Sequence, residues 1–282
     1  MKSIFKYGAT TALLALSGQT FAAVTEVADS SLINSPNLYT NDFGSIVVTT
    51  GGGNVSNIGG LDGRNDDGFS GPISLGFSLP FFGSTYNSFY VNNNGNISFG
   101  NGIAAYTPNG PQGAPQPIIA PFFADVDTRG SLSGVVHLNT SIANQVIVTW
   151  DHVGYYSSKS DKLNTFQLVL RSADYQIPTG EGQIGFFWGQ MQWETGDASG
   201  GSNGFGGKPA AVGFGDGLNN GFVLESSLKN GISSVVAHKS IWFNVNDAGV
   251  PEVTPAVPEP EAYALMFAGL ACVGLLRRRQ TA

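Results

Sequence analysis

"LPFFGSTYNSFYVNNNGNISFG", Leu79 to Gly100, decides the fold. Val91, Ile97 and Phe99 supply apolar residues on either side of a run of asparagines. Asn92 to Asn96 read as a tight turn, because Asn and Gly tolerate the positive φ that such turns need. The stretch is therefore expected to be two strands folded back on each other. The same punctuated pattern continues outward from it. Candidate strands are "SIVVTT" from Ser45, "ISLGFSLPFF" from Ile73, "SFYV" from Ser88, "NISFG" from Asn96, "GVVHL" from Gly134, "QVIVTW" from Gln145, "TFQLVLR" from Thr165, "QIGFFW" from Gln183 and "IWFNV" from Ile241. They are rich in β-branched and aromatic residues, and Gly, Asn, Asp and Pro separate them. No long stretch sustains a helical period. The expected fold is all-β, an antiparallel β-sandwich or related barrel whose loops carry many of the 39 glycines.

The two ends read differently. "MKSIFKYGATTALLALSGQTFAA" places Lys2 and Lys6 before the apolar run Ala12 to Leu16 and small residues at Thr20 and Ala22. That is the three-part build of a secretory signal peptide, with cleavage expected after Ala22. At the other end Val257, Pro258, Glu259 and Pro260 precede an apolar run from Ala262 to Leu276 and the cluster Arg277, Arg278 and Arg279. A helix over that run would be roughly 22 Å long at about 1.5 Å per residue, short of the ~30 Å hydrocarbon core. It would span thinly, with the arginines snorkelling on the cytoplasmic side and the preceding chain outside.

This tail resembles the PEP-CTERM sorting signal of Gram-negative bacteria. The resemblance implies cleavage near Pro258 to Pro260 by the membrane protease exosortase. The inner membrane would then hold the protein only transiently before it reaches the cell surface or an exopolysaccharide matrix. A permanent anchor is the simpler alternative.

A second resemblance covers the domain. "LPFFGSTYNSFYVNNNGNISFG", "PIIAPFFADVDTRGSLSGVVHL" (Pro117 to Leu138), "NTFQLVLR" (Asn164 to Arg171) and "MQWETGDASGG" (Met191 to Gly201) are similar to successive blocks of the nidogen extracellular domain. It runs from about Tyr39 to Val245. That module is known from matrix and surface proteins, and the resemblance implies a role in adhesion or interaction. Phe123 stands where the family pattern leads one to expect tryptophan. The expected organisation is a signal peptide at 1–22, a nidogen-like β domain at 23–248, a proline-rich stalk at 249–257 and the sorting signal at 258–282, with its transmembrane helix at 262–276.

Composition narrows the function. The net formal charge is −7 and the pI about 4.8, so the surface repels phosphate backbones and nucleic acid is not an expected partner. Cys272, the only cysteine, lies in the tail, which leaves the domain without disulfide or thiol chemistry. No cofactor is expected, apart from one calcium possibility. In "PFFADVDT", Asp125 and Asp127 lie close together and repel unless cations, backbone amides or Arg129 compensate them. One reading makes them caps for backbone amides; the other makes them calcium ligands together with Asp66 or Asp67 of "GRNDDG".

Catalytic constellations are weaker. "GDASGG", Gly196 to Gly201, places Ser199 in a segment like a serine nucleophile's, with Asp151 and His152 as candidate partners. Ala198 interrupts that pattern. His137, His152 and His238 lack metal-ligand spacing. Tyr155, Tyr156 and Trp193 are candidate sugar contacts, while Trp150 and Trp188 end apolar strands and are expected mainly in the core. The sequence therefore reads as an exported, non-enzymatic adhesion or interaction module whose partners are exosortase and exopolysaccharide or other matrix and surface proteins. A carbohydrate-binding module of the biofilm matrix is the alternative, and a secreted hydrolase the third.

Overall fold

A computed structural model describes residues 24–47 and 62–255. The signal peptide, the sorting motif and the 262–276 helix lie outside the described residues, as does the end of "SIVVTT". One sheet contains β1 (Val24–Val27), β4 (Ile73–Phe81), β5 (Ser84–Asn92), β6 (Asn96–Ser98), β7 (Pro117–Phe123), β12 (Ala211–Asp216) and β13 (Gly221–Leu224). The other contains β3 (Ser45–Ile46), β8 (Val136–Asn139), β9 (Gln145–Tyr155), β10 (Lys159–Arg171), β11 (Ile184–Met191), β14 (Lys239–Val245) and β15 (Pro251–Val253), and β2 (Ile33–Asn34) also pairs with β14. Their orders are β1-β13-β12-β7-β6-β5-β4 and β15-β14-β11-β10-β9-β8-β3.

The expected sandwich is present, with one departure. β1 lies parallel to β13, so the first sheet is mixed. One short helix, α1 (Ile232–Val236), precedes β14. Among the described residues no helix is long and apolar enough to cross a membrane. Part of the expected proline-rich stalk is instead sheet: Pro251–Val253 pair with Phe243, Asn244 and Val245.

Period-two alternation builds the core. Along β10, Phe166, Leu168 and Leu170 face the opposite sheet, while Val169 joins Ile147, Phe187 and Trp242 in an outer cluster covered by Leu38 and Tyr39. Phe122 and Phe123 divide in the same way. Phe122 enters the inter-sheet core, and Phe123 packs outside with Ile103, Ile118 and Ala211. Three fully buried tryptophans each donate the indole N–H to a main-chain carbonyl, Trp150 to Asn93 at 3.1 Å, Trp188 to Pro121 at 2.9 Å and Trp193 to Val153 at 3.0 Å. Burying those rings therefore leaves no indole donor unsatisfied.

The hairpin read from the asparagine run is β5–β6. Its register pairs Asn92 with Asn96 around Asn93, Asn94 and Gly95, and Val91, Ile97 and Phe99 are all fully buried. Gly95 has φ +76°, and a Cβ there would sit 1.9 Å from the Phe122 carbonyl oxygen. Only glycine permits both the turn and that approach. Pro121 removes one ladder donor from β7, and two amides beyond it turn to this loop: Phe122 donates to the Gly95 carbonyl and Ala124 to that of Asn94, while Phe123 between them stays paired with Ala211. The turn thereby fixes where the chain goes after β7, at Asp125.

Candidate functional site

Three segments meet at that end of the sandwich: the 64–68 loop, the β5–β6 turn and residues 124–130. Arg64 binds the first to the third, donating from Nη1 to the carbonyls of Thr128 at 2.6 Å and Gly130 at 2.8 Å. The Asn65 amide donates to Thr128 Oγ1 and the Thr128 amide to the Asn65 carbonyl. Asparagine side chains tie in the turn. Asn93 Nδ2 donates to the carbonyls of Asp66 at 2.5 Å and Val126 at 2.7 Å, and Asn94 accepts from the Val126 amide at 2.9 Å while donating to Asp67 Oδ1 at 3.0 Å.

This scaffold assembles the four aspartates named from the sequence but gives them two roles. Asp127 is a cap. Its Oδ1 accepts from the Arg129 amide and Arg129 Nε, and its Oδ2 from the Ser158 amide at 2.7 Å and Arg129 Nη2 at 2.5 Å. With its acceptor sites so taken, Asp127 is removed from the candidate metal ligands. Arg129 also reaches Asp66 Oδ2 at 2.7 Å, and those bonds to Asp127 hold its guanidinium proton more tightly than usual.

Asp66, Asp67 and Asp125 form the second group. One carboxylate oxygen from each lies within 4.8 Å of the others. Asp125 is only 1% exposed, and neither of its carboxylate oxygens accepts a hydrogen bond from a described residue; Asp66 Oδ1 is in the same state. The "GDASGG" loop closes over Asp125 so tightly that a Cβ on Gly196 would lie 2.3 Å from Oδ2. Burial, then the charges of Asp66, Asp67, Asp127 and Asp197, raise the Asp125 pKa to about 8. Burial and then Asp127 and Asp67 raise that of Asp66 to about 7, against the opposing pull of Arg129. Asp67 is raised as well, again mainly by burial.

The other candidates separate. Ser199 Oγ shares a 2.9 Å hydrogen bond with Thr107 Oγ1, whereas His152 Nδ1 is 2.5 Å from Asp151 Oδ1 on an exposed part of β9. No bond joins the serine to that pair among the described residues. Of the sugar-contact candidates, Tyr155 and Trp193 are fully buried, their rings 5.5 Å apart, so neither offers a face to a sugar. Tyr156 alone is partly exposed. Tyr155 ends β9 and Trp193 lies just beyond β11, and their hydroxyl and N–H are satisfied by Asp161 and the Val153 carbonyl. Sequence reading missed the structural part played by the Asn93 and Asn94 side chains, which it took as turn formers only.

The NIDO-related family profile matches residues 39–249. Alpha-tectorin of Mus musculus is 35% identical over 190 residues, covering 57% of this chain and 8% of that protein. Nidogen of Drosophila melanogaster is 32% identical over 123 residues, covering 35% of this chain and 9% of that protein. The chain thus spans less than a tenth of the length of these relatives. No solved structure matches it. With a match over most of its length, the chain belongs to the NIDO-related family.

Proposed function

We propose that this protein is an exported bacterial surface or exopolysaccharide-matrix protein, in which one NIDO-related domain acts as a non-enzymatic adhesion or interaction module. The observation that carries this reading is the family match over 39–249, beside the chain's similarity to proteins named alpha-tectorin and nidogen. The bonding of Ser199 to Thr107 rather than to His152 favours it over hydrolysis, since a serine nucleophile needs a base within reach. The burial of Tyr155 and Trp193 leaves Tyr156 alone of the three candidate sugar contacts partly exposed, which favours the interaction reading over an aromatic sugar platform. Partners would be matrix polysaccharide or other surface proteins, met through loops held on a rigid sandwich. A single module of this kind binds weakly, and many displayed copies supply avidity.

On this proposal the signal peptide exports the chain, and the tail holds it in the inner membrane until exosortase removes it. Mass spectrometry of the surface protein from the native host tests that route. The mature species is expected to end in the Val257 to Pro260 region, and replacing Pro258 to Pro260 with alanines should leave the protein membrane-retained. A surface species still carrying Arg277 would contradict exosortase sorting and leave a permanent anchor.

A further inference from the structure

We propose that Asp66, Asp67 and Asp125 form a calcium site that completes this end of the domain. Asp125 carries the inference. Its carboxylate is buried, and both oxygens lack a donor. Elsewhere the same chain satisfies a buried carboxylate completely: Glu194 accepts from the Gly231 amide at 2.9 Å, the Ser233 amide at 3.1 Å and Ser233 Oγ at 3.0 Å. Leaving Asp125 and Asp66 Oδ1 without partners a few ångströms apart is costly in a low-dielectric site. The nearby cations are committed to other oxygens. Arg129 holds Asp127 and the opposite oxygen of Asp66, and Lys159 holds Asp197 at 2.5 Å.

A bound cation resolves this arrangement, and the donor set selects which one. All three ligands are carboxylate oxygens, which suit a hard ion rather than zinc or copper. At the 2.3–2.6 Å bond lengths of calcium, two ligand oxygens stand at most about 5 Å apart, and the three here lie within 4.8 Å. Magnesium dehydrates reluctantly and is usually held by only one or two carboxylates, so three converging carboxylates favour calcium. Asp67 is partly exposed, so the ion has an entry side where water can fill remaining positions. The ligands come from two segments far apart in sequence, so the ion would tie the 64–68 loop to the chain leaving β7. This inference is independent of what the module adheres to.

The test is calorimetric titration of the chelator-stripped full chain with CaCl₂, with MgCl₂ as a parallel arm and the melting temperature read in each. One calcium per chain is expected, with a Kd near the roughly 10⁻⁴–10⁻³ M of extracellular modules, and about 5 mM calcium should raise the melting temperature by mass action. Asp125→Asn and Asp67→Asn should each weaken binding at least tenfold and cut the thermal response by at least half. Asp125→Asn should stay folded in chelator, because the amide has the shape of the buried carboxyl it replaces, so its weaker response would report the site and not unfolding. A folded wild type that shows no heat and no shift in 5 mM calcium overturns the proposal. So does full calcium binding by Asp125→Asn, or magnesium binding as tight as calcium.

Discussion

Replacing Arg129 with methionine is expected to cost about 3 kcal/mol of folding stability, the range found when one partner of a buried ion pair is removed. At roughly 2–4 °C per kcal/mol for a domain of this size, the melting temperature should fall by about 6–12 °C. The reason lies in what the guanidinium leaves behind. Asp127 is fully buried, and it would keep only the two backbone amides of residues 129 and 158. Asp66 would lose its single cationic contact while remaining beside Asp67, Asp125 and Asp127. Arg129→Lys should recover less than half of the loss, because one ammonium cannot donate from Nε and Nη2 to Asp127 and reach Asp66 together. Urea unfolding of the three proteins measures this. A loss below about 1 kcal/mol for methionine would place the pair among solvent-screened surface bridges instead.

A second large effect concerns pH. In chelator, stability should fall as pH rises from about 5 to about 8, contrary to a carboxylate held by a cation. The sign follows from proton counts. Asp66 and Asp125 keep their protons in the folded state up to about 7 and 8, whereas in the unfolded chain they lose them near the ordinary value of 3.8. Between those limits the folded state binds more protons, so each retained proton tilts the stability downward by up to about 1.4 kcal/mol per pH unit. Asp67, Asp127 and Asp197 repel the charged forms and Arg129 attracts that of Asp66. Thermal melts across this range read the slope directly. Asp125→Asn should reduce it, leaving the part that Asp66 contributes, and, at pH 8 in chelator, melt above the wild type. A wild-type stability that rises over the whole range would show that these carboxylates are already ionised and paired.

Much of the sandwich was legible because its strands alternate cleanly around turn residues. Every strand expected between Ile73 and Val245 is present. What escaped has a physical reason. β12, "AVGFGD", carries glycine at 213 and 215, where a Cβ would meet the Phe222 carbonyl at 2.0 Å and the Pro111 carbonyl at 1.9 Å. Close backbone approach replaces side-chain patterning there, so its period-two signal is weak. β1 and β2 lie beside a sheet edge or end, and their residues are mostly exposed, with no apolar face to betray them. For the site, the sequence could pair "GRNDDG" with "PFFADVDT" by charge, and the fold brings them together. It could not separate Asp125 from Asp127, two residues apart in the same segment, because the difference is made by Arg129 and Ser158 on one side and by Gly196 on the other.

The most direct test of the module as an interaction protein is genetic rescue in the native host. Deleting the protein should reduce cell aggregation or biofilm cohesion while growth on soluble nutrients stays unchanged. A chain carrying Ser199→Ala and His152→Ala together should restore cohesion fully, because on this account no catalysis runs through them and the Ser199 hydroxyl bonds only to Thr107 and the Tyr106 carbonyl among the described residues. If that chain folds and reaches the surface at wild-type level yet fails to rescue, while the purified wild type hydrolyses a matrix component, the protein is an enzyme and the account is contradicted.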